Sequence, residues 1–252
     1  MRRRRINAKI TVHPGVIGVL GEQLVSDAPR AIAELVKNAY DADSERVDIK
    51  LIDGPAGRRQ LIIADNGHGM TLRAIREGWL QIATPQKRRH AESPRGRVMT
   101  GSMGIGRLAA FSLASTVTID TGTGRTGWYR IRLRTSAFAR ATSLSRVNIP
   151  IVPIEPPDDL QGKAVERGTI IRLTQLHWWP RKDSDVDNLR QRLALIQGPA
   201  ETSAFKLVLA VGEKEFALEP EQELSTAPYT ITGVVDDDGL PNSKSKPPPL
   251  AV

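Results

Sequence analysis

"ELVKNAYDAD", residues 34–43, decides how the rest of the chain is read. Just upstream, Ser26 and Asp27 offer oxygens that can cap the free amides of a helix start, and Pro29 suits its first turn. Ile32, Leu35, Val36 and Ala39 then recur at the spacing of one helical face. Glu34 and Asn38 are four residues apart, so their side chains leave adjacent turns on the same side, with Asp41 and Asp43 close behind. A carboxylate, an amide and two further carboxylates beside an apolar face admit two readings. One is the polar edge of an ordinary surface helix, the commoner case. The other is a grip on a metal and an anionic ligand.

Working outward, "RVDIKLID" alternates apolar residues at Val47, Ile49 and Leu51, and "QLIIAD" supplies a second short strand. The glycine and proline between them predict an antiparallel hairpin. Residues 87–106 are rich in glycine and basic side chains without periodicity, which predicts a mobile loop, and "GRLAAFSLAS" then reads as a helix. Strands resume at "TVTIDT", "WYRIRLRT" and "GTIIRLTQL", followed by a helix at "DVDNLRQRLALIQ" and a strand at "FKLVLAV". That order predicts an α+β sandwich, with helices on one face of a mixed, mostly antiparallel sheet. Beyond residue 211 the composition turns acidic and then proline-rich, so the folded unit is drawn at 1–211 and a tail, or the start of a following domain, at 212–252.

Composition narrows the chemistry. The 252 residues include no cysteine, which excludes thiolate chemistry and disulfides, and the four histidines show no metal-ligand spacing. The basic start lacks the apolar stretch of a signal peptide, and no run is long enough to span a membrane, so the reading is a soluble, cytoplasmic protein. A net charge of +8 favours polyanionic partners, though a solvated arginine-rich surface explains it equally well.

Three further stretches carry candidate chemistry. "DNGHGM", residues 65–70, follows a strand and has glycines at Gly67 and Gly69 that permit a sharp turn and close backbone approach to a ligand. "GSMGIGR", residues 101–107, places Gly101, Gly104 and Gly106 before a helix whose amides can cradle phosphate. "RGTII" puts Gly168 and Thr169 at a strand start. Each is a weak signal alone. "GIGRLA" also satisfies the dinucleotide pattern G-x-G-x-x-A, but "SPRGRVMTGSM" supplies no buried strand before it, and a Walker-type phosphate loop is absent.

Taken in order, "ELVKNAYDAD", "IADNGHGM", "GSMGIGRLAAFSL" and "RGTII" resemble the four boxes of the GHKL superfamily, which includes DNA gyrase, heat-shock chaperones, sensor histidine kinases and MutL. The resemblance implies the Bergerat fold, a two-layer α/β sandwich with a glycine-rich lid over ATP. It implies that Asn38 ligates Mg2+ and that Asp65 accepts from the adenine amino group with help from Gly69 and Thr169. It further implies that Gly67 and Met70 line the pocket, that Gly101, Gly104, Ile105, Gly106 and Arg107 wrap the phosphates, and that Lys87 meets phosphate. Pro85 stands where a serine is usual, which puts Lys87 in question. Asp41 and Asp43 remain open between contact with ribose or metal-bound water and plain capping or solvation.

Glu34 discriminates among the branches. In the hydrolytic members the matching glutamate activates water for attack on the γ-phosphate, so the resemblance implies an ATPase that closes its lid and dimerises on ATP, acting on an unknown protein client. A histidine-kinase-like domain is the lesser alternative, because no histidine here sits on a convincing phosphoacceptor helix. An ATP-sensing module with little turnover is the other. A DNA-binding role for Arg2 to Arg5 is a third and weaker expectation, testable by its salt dependence.

Overall fold

In a computed structural model the structure describes residues 14–16, 27–81, 92–99, 108–158, 165–196 and 205–218. Helix α1, Ala28–Asp41, begins where the sequence predicts. The Asp27 carboxylate accepts from the Arg30 amide at 2.8 Å, and Pro29 occupies the first turn, where no amide partner is needed. Its apolar face buries Ile32, Leu35 and Val36 almost completely, which contributes about 1.5–3 kcal/mol for each side chain.

Strands β1 (Arg46–Gly54) and β2 (Arg58–Asp65) form the expected hairpin, turned by Ala56 and Gly57, both with positive φ. A short helix α2, Leu72–Ala74, capped by the Thr71 hydroxyl, widens into a π-helical turn at Ile75–Trp79. Helix α3 is Ala109–Leu113, followed directly by β3 (Ala114–Thr123) and β4 (Gly127–Arg134). Helix α4 is Thr135–Arg140, and the remaining elements are β5 (Ile151–Ile154), β6 (Gly168–Leu176), α5 (Asp183–Ala194), β7 (Lys206–Val211) and β8 (Lys214–Leu218).

The eight strands form one sheet in the order β5-β4-β3-β6-β2-β1-β7-β8. The β1–β7 pair is parallel and the others are antiparallel, so the sheet is mixed as predicted. Period-two alternation sorts the side chains. Val47, Ile49, Leu51, Leu61, Ile63, Val117, Ile119, Ile131, Leu133, Leu173, Leu207 and Leu209 point to one face, where α1, α3 and α5 cover them in the main core. On the other face a small cluster of Ile62, Ala64 and Ile170 sits among charged residues. There Asp120 is fully buried, held by Nε and Nη2 of the Arg130 guanidinium at 2.6 and 2.8 Å and by Arg172. This is the α+β two-layer sandwich read from the sequence.

Three differences from the sequence reading have physical reasons. The helix expected over "GRLAAFSLAS" ends at Leu113, because Ala114 already pairs with Leu176 in the sheet. Strand β5 goes unpredicted because Pro153 interrupts it, which an edge strand tolerates. Strand β8 lies past Val211, where the acidic composition hides the buried Leu218.

Candidate functional site

The polar ridge of α1 runs Glu34, Lys37, Asn38, Asp41, opposite the side that enters the core. Glu34, Lys37 and Asn38 are half-buried, and Asp41 is buried. The Lys37 ammonium donates to the Glu34 carboxylate at 3.0 Å. Sequence reasoning missed this pairing, although an i,i+3 spacing of opposite charges is a legible signal.

Asp65 ends β2 and faces the helix side of the sheet. Across the strands it pairs with Thr169 on β6, which pairs with Thr121 on β3, so three polar side chains make one row over otherwise apolar strands. The Asp65 carboxylate accepts from the Gly67 amide at 2.9 Å. Burial pushes its carboxyl up to about 6, against the opposing pull of the Gly67 and Thr169 backbone N–H groups. Thr121 is fully buried and ties the row together. Its hydroxyl donates to the Gly168 carbonyl at 3.1 Å, accepts from the Met70 amide at 3.0 Å and lies 3.0 Å from the Thr169 hydroxyl. The sequence marked nothing at Thr121, since a threonine in "TVTIDT" reads as ordinary strand.

The turn after Asp65 needs its glycines for space. A Cβ on Gly69, at φ +65°, would sit 1.9 Å from the Gly122 carbonyl oxygen, and one on Gly168, at φ +137°, 2.0 Å from that of Asp65. Two links hold the turn against the end of α1. The His68 amide donates to the Ala42 carbonyl at 2.9 Å, while the side-chain oxygen of Asn66 accepts from the Ser44 hydroxyl and the amides of Glu45 and Arg46, each at 2.9 Å. The "DNGHG" turn and the "ELVKNAYDAD" helix therefore meet within one helical turn of Asn38. His68 itself is exposed.

Asp43, buried and at φ +58°, turns away from this row. It accepts from the Ser93 hydroxyl at 2.5 Å and the Arg95 amide at 3.2 Å. Arg97 donates to the Ser44 carbonyl at 2.6 Å and stacks over Tyr40, 4.8 Å from the ring centre. Part of the stretch that reads as a loop is thus fastened to the end of α1. Lys87, Gly101, Gly104, Ile105, Gly106 and Arg107 lie outside the described residues.

Residues 26–166, more than half of the chain, match the family model of histidine kinase-, DNA gyrase B- and HSP90-like ATPases. The chain belongs to this GHKL family. It is 34% identical over 96 residues to a putative type II restriction enzyme, HgiDII, of Herpetosiphon aurantiacus, a match covering 38% of this chain and 15% of that protein. It is 49% identical over 49 residues to the DNA mismatch repair protein MutL of Rhodopseudomonas palustris (strain TIE-1), covering 19% of this chain and 8% of that protein. The matched segments are thus small parts of both relatives. In this GHKL domain the helix ridge belongs to the helical layer, and the Asp65 turn and the Thr169 strand start to the facing side of the sheet, on three separate elements. Among the described residues no cluster of three or more His, Cys, Asp or Glu is set to hold a metal. The half-buried amide of Asn38 is a single neutral oxygen donor, suited to Mg2+ that keeps waters and phosphate oxygens as its other ligands.

Proposed function

We propose that this domain binds ATP with Mg2+ and hydrolyses it, using nucleotide occupancy to switch its contacts with a second copy and with a client protein. The observation that carries the reading is the Asp65–Thr169–Thr121 row, set against the end of the helix that bears Glu34 and Asn38. Asp65 is an acceptor when ionised, which complements the adenine amino group and opposes the guanine carbonyl, so ATP is preferred over GTP. Asn38 would hold Mg2+, which screens the phosphate charge. Glu34 is the general base that takes a proton from water, provided Lys37 releases its carboxylate. Met70 and Gly67 line the adenine side. Gly101, Gly104, Ile105, Gly106 and Arg107, with Lys87, are assigned to the phosphates on the family pattern. A reducing cytosol suits a chain without cysteine, and among the described residues no helix is long and apolar enough to cross a membrane.

The test combines ATP affinity with phosphate release. Asp65→Asn is expected to bind ATP weakly and to lose discrimination against GTP, whereas undiminished selectivity would remove Asp65 from the pocket. Glu34→Ala is expected to retain ATP binding and to cut phosphate release at least about a hundredfold, the usual range for a general base. The Glu34–Lys37 pair favours a second reading, a nucleotide sensor whose base is neutralised in place. Under that reading wild type binds ATP without releasing phosphate, and Lys37→Met unmasks turnover.

A further inference from the structure

The face of the sheet turned away from the helices carries a basic array that the nucleotide site does not use. On β4 the alternation "RIRLR" buries Ile131 and Leu133 in the main core and sends Arg130, Arg132 and Arg134 to the other side, where all three are exposed. Side chains two apart on a strand stand about 7 Å from each other, so the three form a regular line. Arg130 and, across β3, Arg172 share the single carboxylate of Asp120. The cross-strand neighbours of Arg132 and Arg134 are Thr118 and Thr116, so no carboxylate stands opposite either. Arg132 lies 3.4 Å from the Thr118 hydroxyl. Edge strand β5 pairs with residues 128–131 only and leaves the two outer arginines clear. Among the described residues of β3, β4 and β6 on this side, four guanidinium groups stand against one aspartate and leave the corner strongly positive. Like charges on neighbouring strand positions cost stability unless a counter-charge is supplied.

We infer that this arginine line is a docking surface for a nucleic-acid backbone. The line has spaced guanidinium groups and threonine hydroxyls, the groups that contact phosphate oxygens. The aromatic side chain on this face, Trp128, is buried over Gly122, and Val152 opposite Arg130 is the one large apolar side chain exposed beside the line among the described residues, short of the aromatic and apolar centre that a protein partner of similar size uses. The surface is on the opposite side of the sheet from Asp65, so docking needs no nucleotide and does not rest on the ATP reading.

The test uses the full chain and a fluorescently labelled duplex of mixed sequence, with anisotropy read across a salt series without ATP. Wild type is expected to bind with an affinity that falls steeply with salt. Arg132→Glu combined with Arg134→Glu is expected to weaken binding by roughly tenfold or more and to flatten the logarithmic salt slope by about 2, one for each lost phosphate contact. A control with the same charge change elsewhere, Arg181→Glu with Lys214→Glu, is expected to change affinity far less. The milder pair Arg132→Gln and Arg134→Gln, with thermal melting compared to wild type, separates lost contacts from lost fold. Equal loss in control and test variants would overturn the assignment in favour of overall charge. Unchanged binding in the Arg132 and Arg134 variants would overturn it outright, as would binding to phosphatidylserine vesicles, dependent on these arginines, with no binding to the duplex.

Discussion

Asp65 is held where its charge is costly to the fold. Its carboxyl has a folded-state value of about 6, above the 3.8 of an unburied aspartate, because burial outweighs the two amides that favour the anion. For a group raised in this way the unfolded chain ionises first as pH rises, so the contribution to stability is largest below about pH 4 and is lost as pH climbs through about 6. Asp65→Asn keeps an acceptor for the Gly67 amide and removes the charge. This variant is expected to melt above wild type at pH 7–8, and the gap is expected to close toward pH 4. A variant that melts below wild type at pH 8 would show that the anion is stabilising. A residue that weakens the fold where it is ionised, yet is oriented by the Gly67 and Thr169 amides, fits the pattern of a site kept for binding rather than for packing. How legible such residues are in the sequence varies with the reason they matter. Glu34, Asn38 and Asp65 could be picked out because the roles proposed for them depend on residue type within a short pattern. Thr121 could not, because it matters through a hydrogen bond reaching Met70, 51 residues away in the chain.

At the level of elements, the main helix and the first hairpin were readable because capping, periodicity and turn chemistry all act within a few residues. Elements whose identity depends on distant partners were not. Strand β5 exists because β4 offers it an edge, and α3 is cut short because β6 captures Ala114. The backbone weave of the site is similarly non-local. Gly168 approaches Asp65 so closely that a methyl group cannot be placed without moving one strand, and at φ +137° any side chain is strained. Gly168→Ala is expected to cost more than about 2 kcal/mol in urea unfolding and to abolish ATP binding together with that stability. Gly212→Ala, at φ +61° but facing open space, is the matched control and is expected to cost about 1 kcal/mol. Similar losses for the two would mean that backbone conformation, and not the strand contact, sets the penalty.

For the molecule as a whole, the last hairpin is the feature with the widest reach. The boundary drawn from composition at residue 211 falls between β7 and β8, and β8 places Leu218 in the main core. A chain ending after Val211 is expected to lose cooperative unfolding or to aggregate, because β7 becomes an open edge, whereas one ending at residue 220 is expected to melt as a single transition. Equal behaviour of the two would make β8 dispensable. The family match and the two-layer sandwich were both foreshadowed by the four ordered boxes, and the strand β7 by "FKLVLAV", while β8 and the parallel pairing of β7 with β1 were not, since that pairing joins Lys206 to Arg46 across the length of the domain. That parallel pairing also sets a timetable during synthesis. β1 leaves the ribosome with one flank unmatched, and the strand that closes it is translated 160 positions later (206 − 46). The nascent chain must therefore carry an unsatisfied ladder through most of its elongation. Arrested chains released from the tunnel up to residue 200 should be cut readily by protease, and those released past residue 218 should resist.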